Sequence, residues 1–592
     1  MCRISGIINQ NISVQQLKRS VSLMCDAQQR GGPDDDGIFV DESIGLALGH
    51  RRLSIIDLSA GGHQPMSDIL NNTHITFNGE IYNYRELRTE LHKLGAGFLT
   101  KTDTEVILQA YNYWGTASFA KLKGIFAFGL FDKGKQMTYL VRDSKGIKPL
   151  YYSSSKNTLT FASEVRAFRA AEMMFEDDAN WRIRFLAFGN IPEPFTTLKN
   201  VYSLPKSNYL SWDHQTATYN ISKYQASFVS TQITNGNEAK KKIRTSFEQA
   251  VTSQLIADAP IGVFLSGGID SSLITLLANQ QKHASLNTVS IHFNERSYDE
   301  SRYQSVVKDK IEGQKFSHLI TQAEFDRASP SVIAAMDMPT TDGINTWFIS
   351  NFAQQDGLKA VLSGIGADEL FGGYPSFQRI KYVNRLRKLP ITTLSLLAKL
   401  DNRFKRATYL KYNHYLADYL FLRGIFSIEE IADLLETEIE QVASILFGDI
   451  PNKDLGPYNK LHASWLETNL YMQNQLLRDT DVMGMSNALE IRVPFLDEDF
   501  CNVVDSIAAE VRFGNRPKQL LIDSFADLLP ESIWNRPKMG FTFPLQQWLK
   551  QSVVVSKETY HNRFASNTID LFLKDQTHWS KAFALYQVQN HA

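Results

Sequence analysis

Residues Ser266-Gly267-Gly268-Ile269-Asp270-Ser271-Ser272 form the stretch that decides the fold of the second half of the chain. The preceding run, 259–265, has the length and β-branched content of a buried strand, and apolar residues at helical spacing follow. The glycines therefore lie at a strand-to-helix turn, where the backbone can approach a ligand and free N–H groups attract phosphate. The spacing and the lysine of a Walker loop are absent. We predict a phosphate-binding turn in which Asp270 holds a metal ion; the alternative is a glycine-rich turn without a ligand.

The composition is that of an ordinary globular protein, with 43% hydrophobic and 21% charged residues among 592. A net charge of -1 gives no indication of nucleic acid or of an anionic membrane surface as a partner. Cys2, Cys25 and Cys501 are too few and too scattered for a disulfide framework or a cysteine-ligated metal. The chain has neither an apolar run long enough to span a bilayer nor the apolar core of a signal peptide. We therefore expect a cytoplasmic protein that binds neither nucleic acid nor membrane.

The first third of the chain is predicted to consist mainly of β-strands. The segment 124–141 indicates a hairpin with its turn at 132–135, and its apolar residues fall on both faces. Burial on both faces is typical of a strand inside a layered sandwich. Helical patterns at 14–28 and 84–94 would cover the sheets, which predicts an α+β fold with αββα layers.

Cys2 is the candidate nucleophile of this first region. Removal of Met1 would leave a thiol and a free α-amine on one residue, and an α-amine has a reference pKa near 8. The amine could then accept the thiol proton, which gives a nucleophile with its own general base. A cysteine at position 2 predicts nothing by itself, so the interpretation depends on the motifs that accompany it.

Four motifs accompany Cys2, and together they are specific. They are Cys2-Arg3-Ile4-Ser5-Gly6-Ile7, Arg30-Gly31-Gly32-Pro33-Asp34, Arg52-Leu53-Ser54-Ile55-Ile56-Asp57 and Asn78-Gly79-Glu80-Ile81-Tyr82-Asn83. This set resembles the N-terminal-nucleophile glutaminase domain of class II glutamine amidotransferases. Together with the turn at 266–272, which is similar to the pyrophosphate loop of ATP pyrophosphatases, it resembles the glutamine-hydrolysing asparagine synthetase family along nearly the whole chain.

The resemblance implies a role for each residue of the glutaminase site. Glutamine would be bound by Arg52, Ile55, Ile56, Asn78, Gly79, Glu80 and Asp103. Arg52 would hold the α-carboxylate with its planar guanidinium, and Asp103 the α-ammonium, with help from Glu80 or its neighbouring backbone. Asn78 and the N–H of Gly79 would form the oxyanion hole for attack by the Cys2 thiol. The alternative for Arg52 and Asp103 is a pair of solvated charges.

Two departures from the family pattern stand beside these motifs. The family usually has glycine after the nucleophile, where this chain has Arg3. It usually reads His-Arg-Gly-Pro-Asp, where this chain has Gln29-Arg30 followed by an extra glycine. Neither change removes a reacting group, so we still expect glutaminase activity.

Composition places the domain boundary near residue 205. Polar stretches at 205–208 and 227–238 separate the β-rich region from one where strands alternate with helices. We predict a glutaminase domain at 1–205, a linker at 206–238 and a synthetase domain at 239–592. Strands at 286–293 and 359–362 follow the one before Ser266, which predicts an α/β domain with a parallel sheet.

The ATP site is predicted at the carboxyl ends of these strands, where parallel sheets bind ligands. The resemblance implies the ATP-binding residues Leu265, Ser266, Gly267, Gly268, Asp270, Ser271, Ser272, Ile291, Ser363 and Gly364. Asp270 and Asp368 could share Mg²⁺, which takes carboxylate and phosphate oxygens. Lys538 would stabilise the charge that grows as pyrophosphate leaves. The alternatives are a solvated acidic loop for Asp368 and a surface lysine for Lys538.

These expectations combine into a two-site enzyme that uses glutamine and ATP to amidate a carboxylate through an acyl-adenylate. The acceptor is expected to be aspartate, giving asparagine, AMP, pyrophosphate and glutamate. Asparagine-making members of the family commonly carry an acidic residue where this chain has Ile365, and isoleucine cannot move a proton. Another carboxylate, such as a uronic acid of a surface polysaccharide, is the rival acceptor.

Two further alternatives have less support. A non-catalytic regulatory homologue should have lost Asp270, Asp368 or Lys538, and all three are present. A β-lactam-forming synthetase typically lacks the cysteine nucleophile that this chain keeps. The resemblance also implies a homodimer, on which composition is silent.

Overall fold

A computed structural model describes residues 2–68, 70–225, 232–282, 285–390, 392–394, 402–552, 560 and 562–590. The N-terminal region contains two six-stranded antiparallel sheets, with strand orders β10-β8-β9-β1-β3-β2 and β12-β11-β7-β6-β5-β4. The strands are β1 (Cys2–Asn9), β2 (Asp35–Asp41), β3 (Leu46–Arg52), β4 (Met66–Asp68), β5 (Thr73–Ile81), β6 (Gly124–Asp132), β7 (Met137–Arg142), β8 (Tyr151–Ser155), β9 (Thr158–Ala162), β10 (Tyr202–Ser203), β11 (Asn208–Asp213) and β12 (Thr218–Lys223).

The two sheets pack face to face, and helices cover their outer faces. Every residue of β1 is buried, because one face of the strand meets the second sheet and the other meets helix Val14–Ala27. Helices Tyr84–Lys93 and Asp103–Trp114 lie against the second sheet. Further helices of this region are Arg166–Ala170 and Trp181–Phe188. The predicted αββα sandwich and the hairpin of β6 and β7 are confirmed.

The stretch predicted as a linker contributes to the second sheet. Strands β11 and β12 lie within 206–238, and β11 pairs with β7 along its length. The polar run 227–238 falls partly outside the described residues, so the division of the chain into domains stays a prediction. The helix that follows, Gly236–Gln254, begins with Asn235 accepting hydrogen bonds from two backbone N–H groups of the first turn.

The C-terminal region is built on a parallel sheet, as predicted. Its order is β15-β14-β13-β16-β17, and all four pairings are parallel. Strands β13 (Ile261–Phe264), β14 (Asn287–Phe293) and β16 (Ala360–Leu362) match the predicted ones. Strands β15 (Gln314–Ile320) and β17 (Glu490–Arg492) were not predicted, because β15 is a largely polar edge strand and β17 has three residues.

Helices surround this sheet. They are Ile269–Lys282, Ser301–Lys308, Gln322–Ala335, Ile344–Gln355, Ala367–Phe371, Ser376–Arg387, Tyr415–Arg423, Ile428–Leu435, Ile439–Phe447, Lys460–Leu466, Arg478–Met485, Glu498–Asp505, Ala509–Arg512, Gln519–Ser524, Glu531–Trp534, Leu545–Gln551, Arg563–Leu573 and Trp579–Asn590, with a π-helix at Glu467–Leu477. Among the described residues, none of the helices combines the length and the apolar character needed to cross a membrane.

Candidate active site

Cys2 lies where the two sheets of the sandwich meet. Cys2 begins β1, is paired across the sheet with Arg52 of β3, and is only 7% exposed. Its backbone N–H donates to Oδ1 of Asn78 over 3.2 Å, which ties the candidate nucleophile to the second sheet. Burial raises the pKa of the thiol, and a backbone hydrogen bond from Leu53 and the charge of Arg52 act in the opposite direction.

Asn78 and Gly79 follow one another on β5 beside the thiol. Asn78 is wholly buried, and its Nδ2 lies 3.5 Å from Oγ of Ser163. Gly79 has φ 147°, and a Cβ there would lie 2.0 Å from the carbonyl oxygen of Ile125 on β6. Only glycine fits such a position. The hydrogen bond from Cys2 thus places Asn78 beside the candidate nucleophile, and Gly79 is the next residue of β5.

The guanidinium of Arg52 is fixed by backbone carbonyls. It donates to the carbonyl oxygens of Ser59 at 2.9 Å, Asp57 at 2.5 Å and Ile56 at 3.4 Å, and Gly62 packs directly against it. Among the residues that the structure describes, no carboxylate lies within ion-pair distance of Arg52. A guanidinium that is positioned by carbonyl oxygens and makes no ion pair with a described carboxylate is suited to binding the carboxylate of a ligand.

Asp103 and Glu80 lie near one another but face different partners. Asp103 opens helix Asp103–Trp114 and accepts a hydrogen bond from the N–H of Ile81 over 3.0 Å, while burial raises its pKa to about 6. Glu80 lies 3.7 Å from Nη2 of Arg492 in the C-terminal region. Burial, and then the charges of Glu490 and Asp103, raise the pKa of Glu80 well above its usual range. The Glu80 carboxylate therefore lies between the two regions.

The two isoleucines predicted for this pocket contribute backbone groups. The carbonyl of Ile55 accepts hydrogen bonds from the N–H groups of Asp258, at 2.9 Å, and Ala259, at 3.2 Å, just before β13. The carbonyl of Ile56 accepts from Arg52. The loop beneath the candidate glutamine pocket thus rests on the chain that leads into the phosphate-binding turn.

That turn, 266–272, is held open by its own serines. Oγ of Ser271 accepts from the N–H of Ser266 at 3.2 Å and lies 3.0 Å from Oγ of Ser266, which in turn accepts from the N–H of Gly268 at 3.3 Å. Gly267 has φ 86° and packs against Tyr303. Among the described residues, the buried hydroxyl of Ser272 has no hydrogen-bond partner. The turn is therefore shaped before any ligand binds.

The second glycine loop, residues 363–366 after β16, meets this turn, as the sequence predicted. A Cβ on Gly364 would lie 2.8 Å from Cβ of Asp270, and the N–H of Ser363 donates to the carbonyl of Arg492 over 2.8 Å. Leu265, directly after β13, is buried, and the carbonyl of Ile291 on β14 accepts from the side chain of Gln304 over 2.9 Å. The ten predicted ATP-binding residues therefore lie at or near the carboxyl ends of β13, β14 and β16.

Two carboxylates and two lysines form a charged cluster at the carboxyl ends of these strands. Nζ of Lys518 lies 2.6 Å from Oδ2 of Asp270 and 2.5 Å from Oδ1 of Asp368, and Nζ of Lys538 lies 2.7 Å from the same Asp368 oxygen. Burial opposes ionisation of Asp368, but the two lysines outweigh it and lower its pKa. Among the described residues, Oδ1 of Asp270 is buried without a hydrogen-bond partner, which leaves it available to a cation.

Sequence reasoning missed Lys518 and Arg536. Arg536 donates to the carbonyl of Gly267 over 2.9 Å and pairs with Glu300 at 2.6 Å, so it anchors the phosphate-binding turn. A signal was present, because Asn515-Arg516-Pro517-Lys518 is repeated as Asn535-Arg536-Pro537-Lys538. Both repeats end in a lysine that contacts Asp368.

Ile365 lies in the loop after β16, and a tyrosine–glutamate pair lies beside Lys538. Ile365 is half-buried against the apolar core beneath the sheet. Nζ of Lys538 lies 4.6 Å from the ring centre of Tyr374, whose hydroxyl donates to Oε1 of Glu369 over 2.9 Å. Burial, then the charge of Asp368, raise the pKa of Glu369 to about 7.

Comparison with known proteins agrees with this geometry. Residues 242–570 match the family described as Asparagine synthase, and residues 1–225 match the Glutamine amidotransferase domain. The chain is 32% identical to "Asparagine synthetase [glutamine-hydrolyzing] 1" of Bacillus subtilis, over 93% of this chain and 88% of that protein. It is 30% identical to a "Putative asparagine synthetase [glutamine-hydrolyzing]" of Mycobacterium tuberculosis, over 88% and 83%. It is 25% identical to "Amidase chry2" of Gibberella zeae, over 93% and 90%.

Proposed function

The chain belongs to the asparagine synthase family and is a ligase, and from this premise we propose that it joins two reactions. Cys2 hydrolyses glutamine to glutamate and ammonia, and the second site uses ATP to adenylate a carboxylate, which ammonia converts to an amide with release of AMP. One observation carries the proposal. The two glycine loops meet at Asp270 and Asp368, and two lysines neutralise these carboxylates.

In the glutaminase half, the fixed charges orient the substrate. Arg52 holds the α-carboxylate of glutamine, and Asp103, when ionised, holds the α-ammonium. The α-amine freed by removal of Met1 takes the thiol proton, and the thiolate attacks the side-chain amide. Asn78 and the N–H of Gly79 stabilise the oxygen that becomes negative. The tetrahedral intermediate then expels ammonia, which takes the proton held by the α-amine, and water hydrolyses the resulting thioester to release glutamate.

In the synthetase half, the chain supplies a cradle for phosphate. The backbone at the start of helix Ile269–Lys282 and the serine hydroxyls bind phosphate oxygens. Asp270 and Asp368 would hold Mg²⁺, to which the unpartnered Oδ1 of Asp270 is suited, and the ion would neutralise charge on the leaving pyrophosphate. Lys538 and Lys518 place further positive charge beside these carboxylates. This charge stabilises the negative charge that develops on pyrophosphate as its bond to the α-phosphate breaks.

Ammonia must reach the second site without being protonated by bulk water. A shielded interior passage between the sites is therefore part of the proposal. Support comes from the interface that separates them, where Glu80, Glu490 and Arg492 are buried. The homodimer that the family resemblance implies stays a prediction.

Aspartate is the acceptor that the named relatives favour. Ile365 favours a second candidate, a different carboxylate such as a uronic acid, because an apolar side chain occupies the place where the resemblance led us to expect an acid. A relative named as an amidase is consistent with acceptors other than aspartate. In both cases the carboxylate oxygen attacks the α-phosphate of ATP, and pyrophosphate is the leaving group.

The testing experiment separates the two halves. In Cys2→Ala, glutamine should support no amide formation, while added ammonium should support pyrophosphate release at the wild-type rate. The division of labour is wrong if ammonium fails to rescue this variant. Supplying aspartate and, separately, glucuronate to Cys2→Ala with MgATP and ammonium identifies the acceptor, because only a true acceptor triggers pyrophosphate release. Silence with aspartate would remove the first candidate.

A further inference from the structure

Arg3, the residue after the candidate nucleophile, is completely buried, and its guanidinium forms an ion pair on each side. Its Nε lies 2.6 Å from Oε1 of Glu164, and its Nη1 lies 2.7 Å from Oδ2 of Asp481. Glu164 belongs to the N-terminal sandwich, whereas Asp481 lies on helix Arg478–Met485 of the C-terminal region. The side chain next to Cys2 thus crosses from one region to the other.

The fold makes room for this side chain with a glycine. A Cβ on Gly31 would lie 2.8 Å from both Cγ and Nε of Arg3, and a Cβ on Gly32 would lie 2.3 Å from the backbone of Arg51. Gly31 therefore leaves room for the side chain of Arg3, and Gly32 leaves room for the backbone of β3.

Each carboxylate that binds Arg3 has a second cation. Glu164 also lies 3.0 Å from Arg166, and Asp481 also lies 2.9 Å from Nζ of Lys148. The remaining nitrogen of Arg3, Nη2, is buried without a hydrogen-bond partner among the described residues. Apolar side chains often replace such buried ion pairs without loss of stability. A buried, incompletely bonded cation at this place points to a role in positioning.

The contacts on either side of Arg3 lead to both candidate sites. Towards the thiol, Ser163 precedes Glu164, and its Oγ accepts from the N–H of Ile4 over 3.1 Å and lies near Nδ2 of Asn78. Towards the second site, helix Arg478–Met485 leads into β17, where the carbonyl of Arg492 accepts from the N–H of Ser363. Arg3 thus stands between the oxyanion-hole residue and the second glycine loop.

We propose that Arg3 is a positioning residue that couples the two active sites, because it holds Cys2 against Asn78 only while the C-terminal region presents Asp481. The inference rests on the proposed role of Cys2 in glutamine hydrolysis. It makes the glutaminase rate depend on a carboxylate that lies outside the sandwich.

The test measures glutamate release from glutamine in the full-length chain. Arg3→Met keeps the volume of the stem and leaves each carboxylate one cation, so the fold should persist. Its kcat should fall about tenfold or more, because a small misplacement of a reacting group costs much of the rate. The KM for glutamine should change less than about twofold, because Arg52 and Asp103 are untouched. Arg3→Lys should recover part of the lost kcat, since one ammonium can pair with one of the two carboxylates.

A second variant removes the partner in the other region. Asp481→Asn should lower kcat for glutamine hydrolysis to the same extent as Arg3→Met, with KM again unchanged. The matched control is Lys123→Met, which removes an exposed ion pair between the two regions, Lys123 to Asp499 at 2.7 Å, and should keep the wild-type kcat.

A wild-type kcat in Asp481→Asn would overturn the proposal, since it would confine the role of Arg3 to the sandwich. So would a wild-type kcat in Arg3→Met. Failure of the proposed function looks different: Cys2→Ala would then still release glutamate. Thermal unfolding of each variant, followed by circular dichroism, confirms that the compared chains are folded.

Discussion

The two candidate sites of this chain handle charge in opposite ways. In the sandwich, Arg52 is fixed by carbonyl oxygens without a described counter-charge, and Asp103 is buried beside a backbone N–H. At the parallel sheet, Asp270, Asp368, Lys518 and Lys538 already neutralise each other. The first arrangement suits a zwitterionic amino acid that brings both missing charges. The second suits a polyanion and its cation, which displace existing ion pairs as they bind.

This contrast predicts that the largest loss of activity follows removal of a lysine from the second site. Lys518→Met leaves Lys538 as the one lysine beside Asp270 and Asp368, so the site loses half of the lysine charge that faces the leaving pyrophosphate. Pyrophosphate release with ammonium should fall about a thousandfold, a typical cost for losing a group that stabilises developing charge. Glutamate release should stay within about twofold of wild type.

The measurement for Lys518→Met is a coupled pyrophosphate assay run beside a glutamate assay. Lys550→Met is the matched control, since Lys550 pairs with the exposed carboxylate of Asp575. Equal losses in both assays would show that Lys518 supports the whole fold, contrary to the separation of the two sites.

At the sandwich site, Arg52→Lys should raise the KM for glutamine about a hundredfold, because a single ammonium cannot replace a two-pronged contact with a carboxylate. Ammonium-dependent pyrophosphate release should not change. Initial rates over a range of glutamine concentrations test this. Arg51→Lys is the control, because Arg51 pairs with the exposed side chains of Asp26 and Asp36. A KM for Arg52→Lys near that of the control would contradict the assigned role.

The raised pKa of Asp103 adds a pH dependence to the same site. Burial raises this pKa to about 6, so below that pH the carboxyl is neutral and cannot hold an α-ammonium. The KM for glutamine should rise about tenfold for each pH unit below 6. Asp103→Asn should have a high KM that does not vary over this range. A flat KM in the wild type between pH 5 and 7 would contradict the assignment.

The same shift has a consequence for stability. A carboxyl with a pKa higher in the folded than in the unfolded chain contributes stability below its unfolded pKa, and this is lost as the pH rises through about 6. Asp103→Asn should therefore gain stability relative to wild type at pH 7, by about 2–3 kcal/mol. Urea unfolding at pH 4 and pH 7 measures the difference. If Asp103→Asn is equally destabilised at pH 4 and at pH 7, burial does not raise the pKa of Asp103.

The sequence predicted elements whose pattern is local. Two apolar runs on either side of a polar turn predicted the hairpin at 124–141, and the run 259–265 with its glycines predicted the turn at the parallel sheet. It missed β15, a mostly exposed strand at the edge of the sheet, and β17, whose three residues are too few to show a periodic pattern.

The missed site residues depend on contacts that no local pattern encodes. Lys518 reaches Asp270 across 248 residues of chain, and Arg3 reaches Asp481 across 478. Arg3 was recognised as a departure from the family, but its partner could be identified only in three dimensions. The repeated Asn-Arg-Pro-Lys was the one sequence signal for Lys518, and the first copy lacks the following glycine that marks the second.

The smallest effect is expected at the exposed edge between the two regions. Nζ of Lys359 lies 2.7 Å from Asp34, and both side chains are about a third exposed, so water and salt screen the pair. Lys359→Met should change the free energy of unfolding by less than about 1 kcal/mol and leave both assays at wild-type rates. Urea unfolding at low and high salt measures it, and the difference from wild type should vanish at high salt. A loss of glutamate release comparable to that of Asp481→Asn would mean that any contact between the regions couples the sites. The buried ion pairs of Arg3 with Glu164 and Asp481 would then have no special role. The Lys359→Met measurement therefore decides whether the coupling between the two sites depends on Arg3 or on any contact between the regions.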